Sequence, residues 1–156
     1  MQFVGGPKTG GCFLCEKGAA PPETDEEQLV VARGEHCYLL LNAFPYNSGH
    51  LLVAPYRHVP DLAGLTAGER QELLELAIRA QAVMTACMRP EGFNFGFNLG
   101  AAAGAGVPGH LHGHLVPRWT GDTNFMPVLS DTRVVPQALA ETTRFLRQHW
   151  ARHAAP

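Results

Sequence analysis

A chain of 156 residues with a formal charge of −2 can enclose one true core, and its charge gives no basis for general nucleic-acid binding. No apolar run approaches the roughly 20 residues that span a membrane. The opening MQFVGGPKTGGC lacks the apolar segment of a secretory leader, so a single cytoplasmic domain over residues 1–156 is expected.

Residues 1–11 are Gly-rich and expected to be flexible. Residues 19–27, AAPPETDEE, read as a solvated loop whose acidic run is a wet surface. Two apolar runs, 29–32 and 37–41, are separated by a Gly-Glu turn signal and predict strands. A third strand, 49–55, follows the turn in PYNSG. Thr66 and Glu69 have capping-box spacing. Leu73, Leu76, Ala77, Ala80, Val83, Met84 and Cys87 then recur every three or four residues, predicting an amphipathic helix to Arg89, before Pro90. A strand over 93–99, a small-residue loop over 100–109 and a strand over 111–117 come next. A C-terminal extension, 123–156, carries a helix over 136–152. Strands outnumber helices and most strand connections are short. The expected fold is α+β: a mainly antiparallel sheet, one long central helix and a C-terminal helix. Cys37 and Cys87 sit in apolar surroundings and read as small core residues.

The stretch GHLHGHLVPRW sets His110, His112 and His114 at alternate positions, hence on one face of a strand. A merely wet face would be served as well by Lys, Glu, Thr or Ser. A metal site suits histidine, but catalytic sites usually add a carboxylate or a further convergent ligand. The strand has none, and the next acid downstream is Asp122. Phosphoryl-type transfer accounts for both the histidines and the Gly-rich loop before them. An imidazole can attack phosphorus, its neighbours can donate to phosphate oxygens, and loop amides can hold an anion. Cys12 and Cys15 have zinc-knuckle spacing but supply only two of four ligands. A redox pair would need a strand before it and a helix after it. His58 and His110 are available to complete a metal site. Arg57 and Arg118 read first as surface arginines at strand ends, and second as groups that attract polyphosphate.

HLHGHLV resembles the His-x-His-x-His signature of the histidine triad (HIT) superfamily of nucleotidyl hydrolases and transferases. NAFPYNSGHLLVAPYRH resembles its Asn…Gly-His-x-Leu-Val-x-Pro-x-x-His segment, and FNLGAAAGAG its Asn-containing loop. The resemblance covers residues 12–122, and the PRWTGDTNF tail is most similar to bacterial members described as diadenosine tetraphosphate phosphorylase-like. It implies an HIT-like fold, usually a homodimer, that cleaves dinucleoside polyphosphates through a nucleotidyl-histidine intermediate, with water or phosphate as acceptor. Phosphoramidate hydrolysis, or nucleotide binding with little activity, are the alternatives.

The resemblance makes His112 the nucleophile and His114 the group assisting the leaving group and phosphate oxygens. His50 lines the pocket, Asn42 binds ribose hydroxyls and Asn98 lies near the α-phosphate. Many relatives carry Ser or Thr where this chain has Val107, so amides of the 104–109 loop, Gly106 among them, must hold the phosphate. Histidine rather than Gln at position 114 leans toward hydrolysis, although phosphorolytic members also keep three histidines. Structural Zn²⁺ on Cys12, Cys15, His58 and His110 is implied as well, and Mg²⁺ can accompany the polyphosphate. Gly113 departs from the usual apolar spacer, and a glycine inside a strand often marks a close approach.

Overall fold

The computed structural model describes residues 11–107, 109–122 and 139–153. Its strands are β1 (Val30–Arg33), β2 (Cys37–Leu41), β3 (Leu51–Pro55), β4 (Gly92–Phe97) and β5 (Gly113–Arg118). They form one antiparallel sheet in the order β1-β2-β3-β5-β4. The helices are α1 (Phe13–Ala19), α2 (Ala67–Met88) and α3 (Leu139–Arg152). This is the expected α+β arrangement. Residues 136–138, expected to be helical, and residues 1–10, expected to be flexible, lie outside the described residues. No described helix is long and apolar enough to cross a membrane.

Alternation along the strands sorts side chains onto two faces. Cys37, Leu39, Leu41, Leu51, Val53 and Leu115 turn toward Leu73, Leu76, Ala80 and Met84 of α2 and Leu146 of α3. Tyr38, Leu40, Leu52 and Ala54 turn the other way and meet Leu14 of α1. His114 pairs with Leu52, so it emerges on this second face, on the side of the sheet α1 leaves to β5.

The central helix forms as its sequence dictates. The Thr66 hydroxyl accepts from the Glu69 amide, and the Glu69 carboxylate accepts from the Thr66 amide. Arg89 closes the helix in the left-handed region at φ 53°. Glu72 projects from α2 and accepts from the amides of Glu35, His36 and Cys37 at 2.8, 2.5 and 2.6 Å, fixing the β1–β2 turn.

Several expectations change; β3 begins at Leu51 rather than at 49, and β4 runs over 92–97 rather than 93–99. The Cys12–Cys15 pair opens a helix: Cys12 is the N-cap of α1, which is too short for periodicity to reveal. Its Leu14 is fully buried, and the Leu14 carbonyl accepts from the Tyr38 hydroxyl at 2.6 Å. The acidic run is only partly a wet surface. Asp25 is buried and accepts from Arg33 at 2.9 Å and Arg147 at 3.2 Å. Arg33 also donates to the carbonyls of Lys17, Gly18 and Ala20 at the end of α1, where helix carbonyls lack a full set of intrahelical partners. β1 begins one residue late, because Leu29 has φ 63° and breaks the extended run. β5 begins at Gly113 because the amides of His110 and Leu111 bond the carbonyls of Val107 and Val59, away from the ladder.

Gly113 now has a physical reason. It lies between cross-strand partners Val53 and Phe97. A Cβ there would stand 3.0 Å from the Phe97 ring and 3.1 Å from a Val53 methyl. Gly113→Ala should lower stability by about 1–2 kcal/mol, the usual cost of overpacking, read from urea midpoints. An unchanged midpoint would show that the two neighbours yield freely.

Candidate active site and metal centre

The β2–β3 hairpin delivers the first histidine. Leu41 and Leu51 are its last paired residues, so Asn42 and His50 face each other across its mouth, with the Asn42 amide donating to the His50 carbonyl at 2.9 Å. Gly49, at φ 82°, makes the turn into His50, and a Cβ there would lie 2.9 Å from the Met88 methyl. Only glycine meets both conditions. His50 is fully buried.

Hydrogen bonds fix the protons. The Tyr46 amide donates to His50 Nδ1 at 3.1 Å, and the Asn42 side-chain amide approaches the same nitrogen at 3.3 Å. His50 Nδ1 is therefore the acceptor, and its proton is on Nε2. That Nε2–H donates to His114 Nδ1 at 3.0 Å. The proton of a neutral His114 must then be on Nε2, which is buried and has no hydrogen-bond partner among the described residues. His112 has the opposite arrangement. Its Nδ1 lies 2.9 Å from the His110 carbonyl and must donate, which leaves a lone pair on Nε2. The His112 and His114 rings are 5.0 Å apart. One imidazole thus offers a lone pair and its neighbour an N–H.

Burial, then the nearby His114 and His112, lowers the His50 pKa to about 3. Burial, then His112, lowers that of His114 to about 4. Both are neutral at pH 7.

His110 belongs to a different group. Its Nε2–H donates to the Pro55 carbonyl at 2.9 Å, which turns Nδ1 toward Cys12 Sγ at 3.2 Å and Cys15 Sγ at 3.4 Å. His58 Nδ1 stands 3.3 Å from Cys15 Sγ. The four ligand atoms lie within 4.8 Å of one another. Two thiols, two imidazole nitrogens and an outer carbonyl orienting one ring suit a four-coordinate metal ion. Burial raises the Cys15 thiol pKa, and Cys12 adds to this; a cation between the two sulfurs would oppose both effects.

The other sequence-predicted residues lie around this core. Asn98 is half-buried just past β4, and Gly106 is exposed in the loop whose Gly100 and Gly104 take positive φ. No hydrogen bond joins Asn98 to the histidines among the described residues. Arg57 and Arg118 are held by carboxylates: Arg57 by Glu69 at 2.6 Å, Arg118 by Asp122 at 2.6 and 2.7 Å. Sequence reasoning missed Tyr46 and Asn47. Asn47 donates to Asp122 at 2.8 Å and to the Pro117 carbonyl at 3.1 Å, tying the His50 loop to β5. The only signal was PYNSG, which reads as a turn.

The HIT domain family model matches residues 23–121. Over 132 residues the chain is 49% identical to a Mycobacterium tuberculosis protein named AP-4-A phosphorylase, covering 85% of this chain and 68% of that one. A Zn-bound histidine triad family protein from Mycobacterium smegmatis superposes with a TM-score of 0.70 at 28% identity, covering 91% of this chain and 94% of that one. The C. elegans NitFhit protein gives 0.65 at 28% identity, over 77% of this chain and 27% of that longer one. The chain belongs to the HIT domain family.

The lowered imidazoles make stability depend on pH. Below the ordinary value of 6.5, the unfolded chain binds protons at His50 and His114 that the folded protein refuses down to about 3 and 4. Stability is therefore retained at pH 7 and lost as pH falls through 6.5. Urea unfolding should show a smaller loss between pH 7 and pH 5 in His50→Gln than in the unmodified protein. An equal loss in both would contradict the assignment.

Proposed function

We propose that the protein cleaves dinucleoside polyphosphates of the diadenosine tetraphosphate kind through a covalent nucleotidyl-His112 intermediate. The observation that carries this reading is the pairing of a lone pair on His112 Nε2 with the unpartnered, buried N–H of His114. His112 Nε2 attacks the α-phosphorus, forming an N–P bond as the bond to the bridging oxygen breaks. His114 Nε2–H donates to the departing oxygen or to a non-bridging one, where charge develops. An acceptor oxygen then attacks phosphorus, the N–P bond breaks, and His112 recovers its lone pair. Asn42 serves the ribose, and Asn98 with the Gly106 loop serves the phosphate. Mg²⁺ would accompany the polyphosphate as part of the substrate. The name of the 49% identical relative supports inorganic phosphate as acceptor, against the hydrolytic lean taken from His114 alone.

The metal implied is Zn²⁺, held by Cys12, Cys15, His58 and His110; the donor set and the zinc-bound M. smegmatis relative support it. The ion would anchor α1 beside His110 and take no part in bond cleavage. A thiolate site and four free cysteines fit a reducing compartment such as the cytoplasm. Exposed Leu74 and Ile78 on α2, with Phe95 on the edge strand β4, support a homodimer. Residues 1–156 are read as one domain.

Incubation with diadenosine tetraphosphate should give ADP and ATP when phosphate is present. AMP and ATP formed regardless of phosphate would assign water as the acceptor. His112→Asn should lower kcat at least about 10³-fold, as loss of a nucleophile does; near-normal turnover would refute the covalent route. The purified protein should contain one zinc per chain, and Cys12→Ser close to none. A native protein free of zinc would refute the metal assignment.

A further inference from the structure

Tyr46 differs from every other ring in the site. Its centroid is 4.8 Å from the His50 ring and 6.2 Å from the His114 ring, with planes inclined by 32° and 20°. Three rings pack against His114, those of His50, His112 and Tyr46. His50 is 0% exposed and His112 6%, whereas Tyr46 is 72% exposed. Its hydroxyl makes no hydrogen bond among the described residues, so the phenol is not held there by its polar end. A large aromatic left this open gains little from burial, yet its ring lies against buried His50 and half-buried His114.

We propose that Tyr46 is a positioning residue: its ring covers the His50–His114 pair and keeps water off the hydrogen bonds that aim the His114 Nε2–H.

Water admitted beside these rings would compete at two points. It could replace His50 at His114 Nδ1 and, able to accept as well as donate, would no longer pin the His114 proton to Nε2. It would also solvate the imidazolium forms and favour protonation. The first lets the N–H that the proposed reaction needs leave Nε2; the second puts a proton on His114 Nδ1, which repels the His50 Nε2–H and breaks the bond that aims the ring. The same residue supplies the main-chain N–H that binds His50 Nδ1, so tautomer control and cover are set by one position in the loop. The titratable groups facing the pair are His112 and the Tyr46 phenol; Asn42 is the neutral neighbour.

This inference rests on reading His114 as the hydrogen-bond donor of the reaction, and two variants separate the claims. In Tyr46→Ala, NMR titration of the substrate-free protein should show the His50 and His114 midpoints moving up toward 6.5. kcat should fall roughly tenfold, a fraction of what a positioned acid contributes, with KM within about twofold. Tyr46→Phe keeps the ring and should restore both midpoints and kcat. Unmoved midpoints in Tyr46→Ala, or Phe behaving like Ala, would overturn the proposal. The midpoints need no turnover, so they decide the cover by themselves. Unchanged kcat in His114→Asn would instead count against His114 as donor.

Discussion

The hydrogen bond from His50 Nε2 to His114 Nδ1, 3.0 Å long, constrains the whole site. A neutral imidazole has one donor and one acceptor nitrogen. Once the Tyr46 amide and Asn42 occupy His50 Nδ1, each later proton position follows. His50 must donate, His114 must accept with Nδ1, and the remaining His114 proton must sit on Nε2. Burial enforces the sequence, because a second proton on either ring would place a charge away from water. The sheet supplies the geometry: His50 sits two residues before Leu52, the cross-strand partner of His114, where side chains on one face meet diagonally.

The triad is therefore three different groups. His110 turns its Nδ1 toward the cysteines while its carbonyl accepts from His112 Nδ1. The residue that closes the Cys/His set also fixes the tautomer of His112, the proposed nucleophile. This link ties the N-terminal helix to the His112 ring, since Arg33, Asp25 and Tyr38 hold α1 against the sheet. A site assembled this way spends buried polar contacts on orientation more than on stability.

Long-period features were legible in the sequence. The capping box and the spacing of Leu73 to Met84 placed α2, and the alternating histidines marked the reactive strand. Short features were not. α1 has seven residues and no usable periodicity. Asp25 looked solvated because its partners Arg33 and Arg147 are 8 and 122 residues away. The alternation was also only partly a strand: His110 and His112 precede β5 because the amides of His110 and Leu111 bond elsewhere. Gly113 could be explained only after Phe97 and Val53 were seen on either side of it. Tyr46 was hidden in a turn motif, since nothing local signals a ring lying on two distant imidazoles.

The central claim is a double displacement at the α-phosphorus through His112. Its most direct test is stereochemical, with a substrate made chiral at that phosphorus. Attack by His112 followed by attack of the acceptor inverts the centre twice, so the account predicts overall retention of configuration. Net inversion would mean a single direct attack by water or phosphate, and would contradict it.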